Sequence, residues 1–205
     1  GDAAGAILAT RMMLQLMECV RLSSVVAFGA GLGLYLLAPQ VVQLMIPEAI
    51  SGQYVGSFSV AIVIFSLYST NAPAYYVLHG LREMRVCLLV QLLAGAGALC
   101  LISLGAAWYG LEGAILGSAG YLGVFGLTWF AAGKLKIPVG RWLTWSAKYF
   151  ACFAACVVGG LIAGDGLLTR LTLTVIGGSV LCGFFVADMG GMARINRYLI
   201  GVRNG

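Results

Sequence analysis

The chain has 205 residues, of which 61% are hydrophobic and 9% are charged, and its formal net charge is +5. A mean hydropathy of +0.99 is too high for a protein whose surface faces water. The 12 basic residues stand in small groups between apolar runs rather than along one stripe, which argues against nucleic acid as a partner. The composition therefore indicates an integral membrane protein whose solvent is lipid.

Uncharged apolar runs divide the chain, and a run of about 20 residues crosses a bilayer core as one helix. Five such runs are clear and a sixth is shorter, with no strand pattern between them. We predict an all-α, polytopic transmembrane bundle of about six helices, over Leu22 to Ile46, Tyr54 to Leu78, Val86 to Trp108, Gly113 to Ala132, Trp145 to Gly164 and Leu171 to Ala187. Charged residues fall between the runs, except that Lys148 in the first turn of the fifth run can snorkel to the interface.

The Lys and Arg residues indicate the orientation of the predicted bundle. Eleven of the 12 fall on one side of it, and the other side has only Arg170. Because basic residues are retained on the cytoplasmic side, we predict that both chain ends are cytoplasmic and that Arg170 lies on the outer side. The alternation favours an even number of spans.

The same features divide the chain into segments. Residues 133–144 mix basic and apolar side chains, with Trp142 suited to anchoring in the headgroup layer. Because the chain starts at Gly1 without an initiator Met, we expect it to be the C-terminal piece of a longer protein. The predicted segments are a cytoplasmic loop or the end of a preceding helix (1–21), a four-helix part of a transporter lobe (22–132), a cytoplasmic interfacial linker (133–144), two further transmembrane helices (145–187) and a cytoplasmic basic tail (188–205).

The second predicted span is the least lipid-like, since it carries hydroxyl, amide and tyrosine side chains around Pro73, which tends to kink a helix. A kinked polar helix that faces a cavity can line a substrate path. Alternatively, the hydroxyls bond back to their own helix and the tyrosines belong to an interfacial belt. The path candidates, with one further polar residue on the third span, are Tyr68, Asn71, Tyr75, Tyr76 and Gln91.

The fourth predicted span carries glycines at steps of four and three, so one helix face is nearly bare. Such a face permits close helix packing, and it also permits one helix to slide along another. Both interpretations stay open from the sequence. The packing or hinge candidates are Pro73, Gly113, Gly117 and Gly120.

The predicted inner turn after the second span contains Arg82 and Arg85, whose guanidinium forks suit the phosphates of a lipid headgroup. Ordinary topology and loop ion pairs are the alternative explanation. No catalytic motif is present, so we expect no enzymatic activity and no cofactor. Cys152 and Cys156 share a helix face but lack further ligands, so no metal site is predicted.

Four stretches resemble the C-terminal half of bacterial polysaccharide flippases of the multidrug/oligosaccharidyl-lipid/polysaccharide superfamily. They are Gly1-Asp2 followed by Arg11, Leu36-Leu37-Ala38-Pro39 through Ile46, the inner turn Gly80-Leu81-Arg82, and the outer turn Trp108 to Ala114. The resemblance implies two helical lobes that carry an undecaprenyl-pyrophosphate-linked saccharide, such as an O-antigen precursor of lipopolysaccharide, across the bacterial inner membrane by alternating access. It also implies membrane lipid and a missing N-terminal lobe as partners. These spans hold no basic residue at depth, where the family is expected to hold the pyrophosphate.

Two other functions are compatible with the same sequence. One is a multidrug or amphiphile exporter of the same superfamily, for which an acidic residue buried in the absent lobe would couple transport to ions. The other is a membrane subunit or scaffold of a glycan-synthesis complex that transports nothing.

Overall fold

The computed structural model describes residues 2–45, 47–163 and 166–203. The chain is 93% helical, and the described residues contain no strand. A short 3-10 segment, Ser118–Val124, lies between the fifth and sixth of the described α-helices. These are α1 Asp2–Leu36, α2 Ala38–Met45, α3 Glu48–Ser69, α4 Ala72–Gly80, α5 Met84–Gly117, α6 Phe125–Lys134, α7 Val139–Ala163 and α8 Leu167–Arg203.

Five helical segments of the described residues are long and apolar enough to cross a membrane. They are Met12–Leu36, Gly52–Gly80, Met84–Lys134, Val139–Ile162 and Leu167–Gly190. The protein is therefore a membrane-embedded helical bundle, as the composition predicts. The third segment has 51 residues, which would extend about 75 Å as one straight helix, more than twice the thickness of a bilayer core.

That third segment is a hairpin, because Gly110 bends it back on itself. Gly110 has φ 61° and ψ −140°, a conformation that favours glycine, and it separates an arm of residues 84–109 from an arm of residues 111–134. The glycines of the second arm lie against the backbone of the first arm, so that a Cβ added to Gly113, Gly117 or Gly120 would lie 2.1, 2.4 or 2.6 Å from Gly105 O, Leu101 O or Ala98 Cα. Only glycine permits helices to approach this closely, and the bare face is used for packing between the two arms.

Helix α1 lies at the centre of the bundle, where it packs against α3, α7 and α8. One face of α1 is buried at a spacing of four residues, through Ser24, Phe28, Leu32 and Leu36. Phe28 stacks on Phe153 of α7 with ring centroids 5.2 Å apart. A second core joins α1, α4, the hairpin and the beginning of α7, and includes Val20, Leu78, Val90, Leu127 and Trp145.

The first predicted span begins and ends elsewhere in the structure. Residues 2–21, predicted to be a loop or the end of a preceding helix, are continuous with α1. Leu37 separates α1 from α2, since the nitrogen of Pro39 has no hydrogen to donate to the preceding turn. The described part of the chain does not include Gly1, Ile46, Gly164 or the last two residues.

The predicted linker and tail are also largely helical. Helix α7 begins at Val139, and Trp142 is 3% exposed within the second core, whereas the sequence suggests an anchor in the headgroup layer. The amides of Arg141 and Trp142 both donate to Pro138 O, so the helix starts directly after this proline. Helix α8 continues through the predicted tail as far as Arg203.

Candidate functional site

The polar second span is divided into α3 and α4, and the break falls at Thr70 and Asn71. The amides of both residues bond to carbonyls three residues earlier, at 3.1 Å, which tightens the chain before Pro73. The hydroxyls of Ser69 and Thr70 donate to Phe65 O and Leu67 O of their own helix, at 2.8 and 2.7 Å. These hydroxyls thus bond back to the helix, as the alternative interpretation of this span expects.

Asn71 lies inside the bundle, with 3% of its surface exposed. Its Oδ1 accepts a hydrogen bond of 2.9 Å from Thr128 Oγ1 of α6, and its Nδ2 donates to Tyr68 O at 3.3 Å. The amide therefore joins the helix break to the hairpin and is satisfied within the protein.

The other path candidates do not meet at one place. The ring of Tyr68 packs against Tyr121 of the 3-10 segment, with centroids 6.3 Å apart. Tyr75 is half-buried and contacts the ring of Tyr76 at 5.5 Å, whereas Gln91 is exposed on the first arm of the hairpin. Tyr76 is 71% exposed and lines the large groove described next.

A long groove runs along the seam where α1 packs against α3 and α4, and we call it the α1 groove. It consists of three successive cavities of about 640, 600 and 460 Å³, of which each shares lining residues with the next. One wall is the face of α1 opposite its buried face, with Met12, Leu16, Cys19, Val26, Ala30 and Leu34. The other wall comes from α3 and α4, with Phe58, Ile62, Phe65, Ala72, Tyr76 and Val77.

The α1 groove is as long as a bilayer core is thick. The stretch of α1 from Met12 to Leu34 rises about 33 Å at 1.5 Å per residue, against about 30 Å for the hydrocarbon core. The lining is mainly apolar, but Ser23, Ser66 and Ser69 add hydroxyl groups. Helices α1 and α3 touch where Gly31 meets Ser66, since a Cβ on Gly31 would lie 2.0 Å from Ser66 Oγ.

Two basic residues flank the end of the groove near Met12. Leu81 and Ile137 line this mouth, and Arg82 and Lys136 are their neighbours in the chain, both exposed. Arg82 and Lys136 have positive φ angles of 61° and 54°. In both turns the amide of the next residue donates a hydrogen bond of 2.9 Å to the carbonyl five residues before it. The two turns thus share one helix-ending conformation. Arg85, the other headgroup candidate, is exposed on the first turn of α5.

A charged cluster around Asp188 was not expected from the sequence. Asp188 Oδ2 accepts from Tyr149 Oη at 2.6 Å and pairs with Lys148 Nζ at 2.5 Å. Arg21 Nε lies 3.3 Å from the same oxygen, without the alignment of a hydrogen bond. This Asp188 cluster joins α1, α7 and α8. It contains two cations and one carboxylate, so its net charge is +1.

The Asp188 cluster is partly shielded from its surroundings. The side chains of Asp188, Arg21 and Lys148 are 14%, 17% and 37% exposed. The Lys148 ammonium also lies 5.3 Å from the ring centroid of Tyr149 and 5.6 Å from that of Phe184. The sequence carried one signal of this cluster, because Lys148 is the charged residue inside a predicted span.

The described residues contain no group of three metal-binding side chains, and all six cysteines are free thiols. No family model, curated protein or solved structure matches the chain. The groove, its basic mouth and the Asp188 cluster are therefore interpreted from their own chemistry.

Proposed function

We propose that this chain is one lobe of a transporter that moves a polyprenyl-pyrophosphate-linked saccharide across the bacterial inner membrane by alternating access. The observation that carries the proposal is the α1 groove, which is as long as the hydrocarbon core is thick. A groove of this length offers one continuous surface from leaflet to leaflet. A second lobe facing the open side of the groove would enclose the path.

The lining of the groove suits an amphiphile. A polar headgroup costs several kcal/mol for each unsatisfied group in hydrocarbon, so its path must supply polar partners or water. Hydroxyls of Ser23, Ser66 and Ser69 offer lone pairs among the apolar side chains. The apolar wall residues accommodate a hydrocarbon chain as readily as lipid does.

If the hairpin at Gly110 crosses twice, the proposed bundle has six crossings and both chain ends on one side. The eleven of the 12 basic residues assigned to that side support the proposal that this side is cytoplasmic. The mouth between Arg82 and Lys136 then opens to the leaflet where lipid-linked precursors are made. Arg82 and Lys136 are each one residue from the lining of this mouth, and their guanidinium and ammonium groups are suited to receiving phosphates, with Arg85 close by in the chain.

The groove supports the amphiphilic character of the cargo, whereas its saccharide identity rests on the sequence resemblance. An exporter of other amphiphiles would use the same groove. A scaffold for glycan-synthesis enzymes would need no groove of this length.

Transport by variants that fill the groove tests the proposal. Ala30→Trp and Ala72→Trp place a large ring in the groove from either wall, and both positions are exposed. Ala96→Trp, exposed on the first arm of the hairpin, is the matched control. The assay follows a fluorescent lipid-linked oligosaccharide in vesicles that contain the protein with both lobes.

We expect the two groove variants to reduce translocation at least tenfold, a loss of about 1.4 kcal/mol in transition-state stabilisation, and Ala96→Trp to retain it. Parental rates in both groove variants would show that the path lies elsewhere. Movement of a fluorescent amphiphile without a sugar, but not of the saccharide, would favour the exporter. Movement of neither would favour the scaffold.

A further inference from the structure

Three serine hydroxyls line the largest cavity of the α1 groove, and only one of them has a free proton. The other described residues around this cavity of about 640 Å³ are apolar or glycine. The Ser23 hydroxyl donates to Val20 O at 3.0 Å, and the Ser69 hydroxyl donates to Phe65 O at 2.8 Å, each within its own helix. The Ser66 hydroxyl donates to none of the described residues.

Ser66 is held at the seam between α3 and α1. It is 6% exposed, and its hydroxyl lies against the backbone of Gly31, where an added Cβ would be 2.0 Å from Ser66 Oγ. The glycine at position 31 therefore leaves the room that this hydroxyl occupies. Because both residues line the cavity, the Ser66 side chain is more than nine-tenths buried and still borders the groove.

A buried hydroxyl without an acceptor is unfavourable, because it loses the hydrogen bond that water would give it. A serine in a helix avoids this cost by donating to a carbonyl of the preceding turn, as Ser23 and Ser69 do. For Ser66 the acceptor must come from what occupies the groove. The strongest acceptor that an amphiphile carries is an anionic phosphate oxygen, since hydrogen bonds to ionised groups are stronger than those to neutral ones.

We infer that the Ser66 hydroxyl donates to a phosphate oxygen of the amphiphile in the α1 groove, and that it thereby favours cargo with a phosphate. The inference rests on the groove as the proposed path. The phosphate belongs either to a lipid-linked saccharide or to a phospholipid of the bilayer. A phosphate received between Arg82 and Lys136 would meet Ser66 farther along the groove, since the cavity at the basic mouth joins the largest cavity through the third one.

Translocation by Ser66→Ala tests the inference, with Ser69→Ala as the matched control. Each variant removes one hydroxyl from the same wall of the same cavity, but only Ser66→Ala removes a free donor. Vesicles that contain the protein with both lobes receive a fluorescent polyprenyl-pyrophosphate saccharide or, separately, a fluorescent phosphatidylglycerol. We expect Ser66→Ala to slow about tenfold whichever cargo the parent moves, and Ser69→Ala to keep the parental rate.

A second pair of variants displaces the Ser66 hydroxyl without removing it. The methyl group of Gly31→Ala would occupy the position of this hydroxyl, whereas a Cβ at Gly29 meets nothing within 4 Å. We expect Gly31→Ala to slow the same cargo as Ser66→Ala does, and Gly29→Ala to leave its rate unchanged. Thermal unfolding of Ser66→Ala separates recognition from packing, because the loss of a hydroxyl without a partner in the described chain should leave the melting temperature unchanged.

Each outcome decides the inference. A parental rate in Ser66→Ala, or equal slowing in Ser66→Ala and Ser69→Ala, would overturn it and leave the transport proposal standing. Slowing of Ser66→Ala together with a lower melting temperature would assign Ser66 to packing. Movement of phosphatidylglycerol alone, slowed by Ser66→Ala, would support the phosphate contact and overturn the saccharide cargo. A parent that moves neither cargo would overturn both proposals.

Discussion

Replacing Asp188 by asparagine should destabilise the bundle more than the loss of an exposed carboxylate does. The substitution keeps the shape of the side chain and removes the negative charge that Lys148 and Arg21 share. Both cations then remain partly buried beside one another without their counter-ion. Tyr149 Oη, which is buried and bonded to Asp188 at 2.6 Å, also exchanges a charged acceptor for a neutral one.

The magnitude follows from the burial of the cluster. Removing one partner of a fully buried pair costs about 3–5 kcal/mol, whereas exposed pairs contribute about 0–1 kcal/mol. Asp188 and Arg21 are 14% and 17% exposed, but Lys148 is 37% exposed and can move toward the interface. We therefore expect a loss of about 2–3 kcal/mol, which lies between these limits.

Thermal unfolding in detergent measures this loss, with reversible denaturant titration as the quantitative assay. For a chain of this size a loss of 2–3 kcal/mol lowers the melting temperature by about 4–12 °C. Glu112→Gln, in the exposed turn of the hairpin, is the matched control and should change stability by less than about 0.5 kcal/mol. The double variant Asp188→Asn with Lys148→Gln should be more stable than Asp188→Asn alone.

Equal stability of Asp188→Asn and the Glu112→Gln control would refute this reasoning. It would mean that the cluster contributes nothing beyond a surface ion pair. A double variant less stable than Asp188→Asn would refute the second part, namely that an uncompensated cation causes the loss.

Three further substitutions test the hairpin, the inner turn and the helix break by the same unfolding measurement. Gly117→Ala should lower the free energy of unfolding by about 1–3 kcal/mol, because the two arms of the hairpin must separate to admit the added methyl group. Gly97→Ala is the control and should leave stability unchanged or raise it, since an added Cβ there meets nothing within 4 Å. Equal effects of the two substitutions would contradict the close packing of the arms. The Arg82→Gly variant should be more stable than Arg82→Ala by about 1 kcal/mol. Both variants lose the charge, but only glycine adopts the φ of 61° at this position freely. Equal stability of the two variants would exclude backbone strain at residue 82. Asn71→Leu should lower the free energy of unfolding by about 1–3 kcal/mol, because the hydroxyl of Thr128 loses its acceptor. The double variant with Thr128→Val should recover part of this loss. No recovery would mean that the hydrogen bond contributes nothing.

The membrane class and the helical architecture could be predicted from sequence because the lipid imposes them. Runs without charge must cross as helices, since hydrocarbon offers the backbone no other hydrogen-bond partner. The glycine face at Gly113, Gly117 and Gly120 indicated close packing because helix backbones can approach where side chains are absent. Only the structure identifies the first arm of the hairpin as its partner.

Helix ends were less predictable than helices. Charge marks where a helix leaves the hydrocarbon, but helical hydrogen bonding continues into the interface, so α1 begins well before Leu22 and α8 continues past Ala187. Trp142 illustrates the same limit, because an amphipathic side chain can anchor at the headgroups or fill a core. Only the position of neighbouring helices decides between the two.

Sites made by several helices could not be predicted from local patterns. Arg21, Lys148 and Asp188 are far apart in the chain, and each is explained separately by topology. The α1 groove likewise depends on how α1 packs against the α3–α4 pair, and one path candidate, Tyr76, lines it. The role of all five path candidates, Tyr76 included, stays a prediction.

Site-specific photocrosslinking tests most directly whether the α1 groove carries the cargo. A benzophenone side chain replaces Val26, which is 60% exposed in the groove, or Leu93, which is 66% exposed on the hairpin. The protein with both lobes is irradiated with an isotopically labelled polyprenyl-pyrophosphate saccharide. We predict an adduct at position 26 that excess unlabelled saccharide suppresses, and little adduct at position 93. Equal labelling at the two positions, unaffected by unlabelled saccharide, would contradict the groove as the substrate path.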